Sequence, residues 1–210
     1  MRILITSGAT REPIDAVRFL SNVSTGRTGA LLADALTAHG HVVTLLHGEA
    51  AVRAQHVAAS ESFSSTTDLQ SQLRRLLGTG NFDAVIHAAA VSDYRPSETR
   101  DGKMSSYATE ITLRLVPTPK LLPELKQCAP HPIKVIGFKL TAGADTEARS
   151  IAVSKLFAAG TVDAVIHNDM DDLATGDSRP FSGWRAGTHT PEPLAGIDAL
   201  TAWLHAFVSV

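Results

Sequence analysis

Short apolar runs recur along the chain at Ile3–Thr6, Val42–Leu46, Ala84–Ala90, Ile111–Val116, Lys134–Phe138 and Ala164–His167. They are rich in Val, Ile and Leu and too short for helices, which predicts strands, most of them buried on both faces. Between them lie helical patterns. The clearest is Thr28–His39, where Leu31 with Ala35 and Leu32 with Leu36 repeat at four-residue spacing before Gly40, a C-terminal cap. Thr67–Leu77, Lys120–Cys128, Thr146–Ala159 and Ile197–Val208 read the same way. Parallel strands need long crossovers and helices supply them, so the alternation predicts an α/β fold: a Rossmann-like, doubly wound, mostly parallel sheet with helices on both faces. Two stretches break the rhythm. Ser92–Ala108 is polar and reads as a mobile flap; Thr175–Pro193, with the isolated aromatics Phe181 and Trp184, reads as a hairpin or irregular excursion. Asp83–His87 recurs as Asp163–His167, which we take as two strands solving one packing problem.

At 210 residues, 44% hydrophobic and 19% charged, the chain can bury a sizeable core, and residues 1–210 are expected to form one domain. Aromatics are 5%, so that core is aliphatic. A formal charge of −2 offers no global basic field, which argues against nucleic acid as a partner. Cys128 is the single cysteine and cannot form an internal disulfide, and the first six residues read as a strand rather than a signal peptide, so a cytoplasmic setting is expected. No apolar run approaches the roughly 20 residues that span a bilayer.

Candidate chemistry concentrates after the first strand. Ser7–Asp15 runs on into Ser21–Gly29 and then a helix, where backbone N–H groups and the positive end of the helix dipole can hold a phosphate. The same residues also suit a simple cap at Ser24 or Thr25 and close packing at Gly26 and Gly29. Glu49, 20 residues beyond Gly29, raises a dinucleotide reading, but no G-x-G-x-x-G follows the strand and no Tyr-x-x-x-Lys pair exists. An NAD(P)-dependent oxidoreductase therefore stands as an alternative, beside a non-catalytic nucleotide-binding module. Ala88, Ala89 and Ala90 expose backbone at a strand's carboxyl end, and Asp93 offers a carboxylate to a sugar hydroxyl or a Mg²⁺ ion. Lys103 in the flap can offset charge that develops as pyrophosphate leaves. His47, His87 and His167 fall near strand ends without metal-ligand spacing and read as locally hydrogen-bonded.

The ordered set ITSGATREPIDAVRFLSNVSTGRTG, AAAVSDYRP, GKMSS, Pro117-Thr118-Pro119, IGFKLT and HND resembles the phosphopantothenoylcysteine synthetase (phosphopantothenate–cysteine ligase) family from Ile3 to about Asp169. The resemblance implies a free-standing synthetase without the flavoprotein decarboxylase half or its flavin. It implies coenzyme A biosynthesis: 4′-phosphopantothenate is activated by a nucleoside triphosphate, CTP in preference to ATP, with Mg²⁺, and the acyl-nucleotide is passed to cysteine. By motif, Asn22 and Lys103 would be catalytic. Gly8, Asn22, Ser24, Thr25 and Gly26 would hold substrate or phosphate. Ala88 to Ala90, Asp93, Lys103, Pro119, Lys120, Leu121, Leu122, Phe138 and Lys155 would contact nucleotide, with Asp93 also a candidate Mg²⁺ ligand. A homodimer is implied, with the Thr175–Pro193 excursion a candidate for the subunit contact and a separate decarboxylase a candidate partner. The chain departs from the family pattern at Ala9, at Thr25, in a flap with one lysine, at Lys139-Leu140-Thr141, and at Ala159 where a second lysine near the base is expected.

Overall fold

In the computed structural model, which describes residues 1–107, 109–172, 179–188 and 190–210, the buried runs assemble into one eight-stranded sheet. Its six parallel strands are β1 (Arg2–Ser7), β4 (Val42–Gly48), β5 (Ala59–Phe63), β6 (Ala84–His87), β9 (Lys134–Thr141) and β10 (Ala164–Asp169). The sheet order is β12-β11-β10-β9-β6-β1-β4-β5, and the antiparallel hairpin β11 (Pro180–Arg185) and β12 (Glu192–Ala195) closes one edge. Successive side chains point to opposite faces, which is why the central strands are apolar throughout. Ile3 and Ile5 pack beneath α1 (Arg27–Ala38) and α5 (Gly196–Ser209); Leu4 packs on the other side with α2 (Thr66–Thr79), α3 (Leu125–Cys128) and α4 (Thr146–Phe157). The sheet is doubly wound, as expected. Gly40, at φ +84°, ends α1 by donating to the Thr37 carbonyl.

Four details differ from the sequence expectation, each for a local reason. Ile111–Val116 is not a core strand: only Leu115–Pro117 (β8) is extended, pairing with Tyr94–Pro96 (β7) in a separate two-stranded ribbon. Ile111, Leu113 and Leu115 alternate with polar residues and face outward. The strand at Ala84 stops at His87, so the three alanines leave the ladder. Lys120–Cys128 is not one helix, because Pro123 has no N–H to donate; a 3-10 turn at Leu122–Glu124 precedes α3. Finally, β5 and the small hairpin β2 (Arg11–Pro13) with β3 (Phe19–Ser21) escape the apolar pattern, since Ala59–Phe63 is a polar edge strand.

The Thr175–Pro193 excursion does contain a hairpin, although its residues 175–178 and 189, like Ala108 of the flap, lie outside the described residues. Phe181 and Trp184 are buried on opposite faces of the sheet within this chain, so neither ring is presented to a partner. Among the described residues, no helix is long and apolar enough to cross a membrane.

Candidate active site

Numbered along the chain, the six parallel strands lie in the order 3-2-1-4-5-6, and the chain reverses direction between β1 and β6. Loops leaving the carboxyl ends of those two strands diverge, which opens a crevice there. A cleft of about 910 Å³ occupies this position.

Its floor is the backbone of Ala88, Ala89 and Ala90, all half-buried and all on the cleft wall. The neighbouring strand β1 and the glycine that follows it hold that backbone in place. Ala88 N–H donates to the Thr6 carbonyl at 3.1 Å, Ala89 N–H to Thr6 Oγ1 at 3.2 Å and Ala90 N–H to the Gly8 carbonyl at 2.7 Å. Thr6 Oγ1 also lies 2.8 Å from His87 Nδ1. Burial pushes His87 down from 6.5 to about 4, so the ring stays neutral and the Thr6 contact persists at physiological pH. Further along, Thr10 Oγ1 accepts the Ser92 N–H at 3.0 Å, and Thr118 donates its hydroxyl to the Ser92 carbonyl.

One side of the cleft is the start of α1, reached from β1 by an interrupted glycine turn. Gly8 has φ +78° and Gly26, the N-cap, φ +73°, a region that favours glycine. A Cβ on either would fall 2.5 Å and 2.7 Å respectively from Ala51 Cβ, and Gly29 packs against Ser7 so closely that its Cβ would sit 2.4 Å away. Turn, close approach and helix-on-strand packing are the three jobs of a dinucleotide-type glycine motif. Here they are divided by the 17 residues between Gly8 and Gly26, which carry the β2–β3 hairpin and Asn22. No side chain caps α1 and its first turn holds no acidic residue; Arg27 N–H meets Thr25 Oγ1 only at 3.4 Å. Ser24, Thr25 and Gly26 line the cleft at this end. Asn22 does too, with its Nδ2 donating to the Val91 carbonyl at 3.1 Å, which turns the amide over the floor.

The cleft wall also brings together Pro119, Lys120, Leu121, Leu122, Phe138 and Lys155, the residues that the resemblance assigns to nucleotide, with Ala159 beside them. Lys120 is ion-paired to Asp93 at the exposed rim. Asn168 reaches the cleft, whereas Asp169 is spent inside the fold. The Thr141 hydroxyl (2.5 Å) and the backbone N–H groups of Asp171, Gly143 and Ala144 hold its carboxyl well below the usual carboxylate range. Two predicted residues stand off the cleft wall. Gly8 lies behind it, shaping the turn. Lys103 is exposed on a flap strapped to the β2–β3 loop, where Arg100 N–H donates to the Ile14 carbonyl, Ala16 N–H to the Gly102 carbonyl and Met104 N–H to Asp15 Oδ2. The backbone N–H groups of Val17, Met104 and Arg18 donate to Asp15 and hold its carboxyl below the normal range. Glu49 is also off the wall. His47 and His167 are locally hydrogen-bonded, to the Gly48 carbonyl and to Thr141 Oγ1, as read from the sequence.

Sequence reasoning missed Arg179, which enters the cleft from the residue before β11, and the charge balance it completes. Among the described residues, Arg27, Lys120, Lys139, Lys155 and Arg179 face the cleft against the single carboxylate Asp93, in a chain whose net charge is −2. Cations drawn from five separate stretches leave no run in the sequence to reveal this. Such a cleft attracts polyanions.

The strand order, the cleft at the reversal and the uncapped helix beside it define a Rossmann-type α/β protein with an open crevice at the switch point. The family model for the DNA/pantothenate metabolism flavoprotein C-terminal domain matches residues 1–180, and the chain belongs to that family. The coenzyme A biosynthesis bifunctional protein CoaBC of Thermococcus kodakarensis is 31% identical over 169 residues, which is 80% of this chain and 41% of that protein. The chain thus spans less than half the length of that relative. The DNA/pantothenate metabolism flavoprotein structure from Streptococcus pneumoniae superposes with a TM-score of 0.89 at 24% identity, covering 100% of this chain and 98% of that one. A Cab2 variant in complex with phosphopantothenate-cysteine gives 0.81 at 19% identity, covering 99% and 87%. Both share the fold.

Proposed function

We propose that the chain is a phosphopantothenate–cysteine ligase of coenzyme A biosynthesis, acting as one nucleotide-binding unit through an acyl-nucleotide. The observation that carries this reading is the concentration of cations around one cleft, beside a helix start with no cap of its own. Joining a phosphorylated acid to a nucleoside triphosphate requires several anions to share a small space, and their repulsion is the obstacle to reaction. Family membership and the phosphopantothenate-cysteine bound to Cab2 point to the same substrates.

In the first step the carboxylate of 4′-phosphopantothenate attacks the α-phosphorus, forming the acyl–phosphate bond as pyrophosphate leaves. The amine of cysteine then attacks the acyl carbon, and the nucleoside monophosphate departs. Backbone N–H groups at the start of α1 and the fixed Ala88 to Ala90 segment would hold phosphate and nucleotide in register. Asn22, oriented by the Val91 carbonyl, would bond the acyl-nucleotide through its remaining amide atoms without adding charge. Lys103 would close over the leaving pyrophosphate once the flap moves from its strap on residues 14–16. Lys155 and Asn168, both on the cleft wall, favour CTP as the nucleotide, with ATP the alternative. Mg²⁺ would supply charge neutralisation on the phosphates. No three-residue metal-binding cluster exists among the described residues, and Asp93 is the one carboxylate on the wall, so the donor set fits an ion brought in on phosphate oxygens and water.

Mass spectrometry of the protein with 4′-phosphopantothenate, Mg²⁺ and CTP or ATP tests the proposal, first without and then with cysteine. Acyl-CMP or acyl-AMP that cysteine converts to the amide is the expected result. Well-folded protein that yields neither an acyl-nucleotide nor pyrophosphate refutes it and leaves a binding module.

A further inference from the structure

We propose that Arg179 is an anion-binding residue of this cleft, gripping the polyphosphate of the nucleoside triphosphate at the start of α1. This rests on the ligase reading above and adds to it a residue that the family motifs do not mark.

Arg179 approaches from outside the parallel core. Because β11 runs antiparallel to β10, the residue preceding it emerges at the carboxyl ends of the parallel strands, on the same side as the cleft. Its guanidinium is then fixed twice. Nη2 donates to Thr28 Oγ1 in the first turn of α1, and the cation lies over the Phe181 ring at 4.9 Å. Phe181 is buried in the core, so the ring is a rigid seat, and a planar guanidinium on such a seat loses little further freedom when it binds.

Neither partner neutralises it. Among the described residues no carboxylate pairs with Arg179, and burial pushes its pKa below the ordinary arginine value while leaving it charged. A half-buried cation with no carboxylate partner among the described residues bears a desolvation cost that an incoming anion would offset. Thr28 Oγ1 accepts from Arg179 and therefore keeps its own proton to donate, so the pair presents N–H and O–H donors beside backbone N–H groups that no side chain caps. The flap contributes one lysine, Lys103, and that residue stands off the wall; Arg179, bonded to Thr28, joins Arg27 among the cleft cations at the helix start. A phosphate chain fits this set better than a nucleobase, because every element presented is a donor.

Equilibrium titration of CTP, ATP and the matching monophosphates into the wild-type chain, Arg179→Met and Arg179→Lys tests the inference, with Mg²⁺ present. Loss of a charge-assisted hydrogen bond predicts triphosphate affinity lower by on the order of 10- to 100-fold in Arg179→Met. Monophosphate affinity should fall much less, and Arg179→Lys should recover part of the difference. Thr28→Val, which removes the guanidinium's anchor, should weaken triphosphate binding in the same direction. A merely structural role would lower both nucleotide classes together, and that result overturns the inference, as does wild-type triphosphate affinity in a folded Arg179→Met. If the wild-type chain binds no nucleotide at all, the ligase reading itself fails and this inference falls with it.

Discussion

His87 is buried beside the cleft floor, and its neutrality has a measurable consequence. The ring's pKa falls from 6.5 to about 4 because burial disfavours the imidazolium. A histidine depressed in the folded state is protonated more readily when unfolded, so its contribution is complete above the unfolded value and is lost as pH drops from about 6.5 towards 4. Between pH 7.5 and pH 5 the loss covers about 1.5 pH units, worth about 2 kcal/mol at 1.36 kcal/mol per unit. In a chain of this size that is a fall in Tm of about 4–8 °C. The control is His87→Asn, whose Oδ1 can take the place of Nδ1 beside Thr6 but cannot titrate. His41 and His167 are also lowered by burial, yet they remain in both proteins and cancel in the comparison. Urea unfolding at the two pH values should therefore show the wild type losing about 2 kcal/mol more than the variant. Parallel pH slopes would refute the argument. They would mean that His87 is hydrated, and that the Thr6 contact does not require a neutral ring.

Three further outcomes follow from the site. Lys103→Gln should lower acyl-nucleotide formation by orders of magnitude with an unchanged Tm, because the side chain is exposed and supports no core; normal pyrophosphate release would remove its assigned role. Asn22→Ala should slow transfer from the acyl-nucleotide to cysteine more than it slows nucleotide activation, and a single-turnover assay of isolated acyl-nucleotide separates the two. Gly26→Ala should cost about 1–2 kcal/mol from the left-handed backbone alone, with more added by overlap with Ala51, and should lower nucleotide affinity; an unchanged urea midpoint would contradict the packing described for this turn.

The architecture was legible because it depends on the strongest signal in the chain. Strands covered on both faces must be apolar at every position, and Ile3 to Ile5, Val85 and Ile136 all obey that rule. The edge obeys a weaker one. In Ala59–Phe63 only Phe63 is buried, so the composition there is that of a loop. Ile111–Val116 fails in the opposite sense, since its apolar side chains alternate and face outward. At the site, motif resemblance brought most of the expected residues to one cleft, but the relations among them lie beyond local pattern. The Asp93–Lys120 pair joins residues 27 apart, and Arg179 meets Thr28 across 151. Arg179 had no local mark at all: it is a single cation at the end of a polar stretch, and only sheet topology delivers it to the helix start.

Gly26 returns so close to Gly8 that a Cβ on it would stand 3.1 Å from the Gly8 nitrogen, so the chain leaves and re-enters the fold at one point. A loop whose ends are already clasped can change length at small entropic cost, because β1 and α1 keep their register whatever lies between. The nucleotide seat and the reactive side chains are thereby uncoupled in the gene as well as in space: substitutions or insertions around Asn22 can remodel the chemistry while the glycines that shape the seat stay where they are.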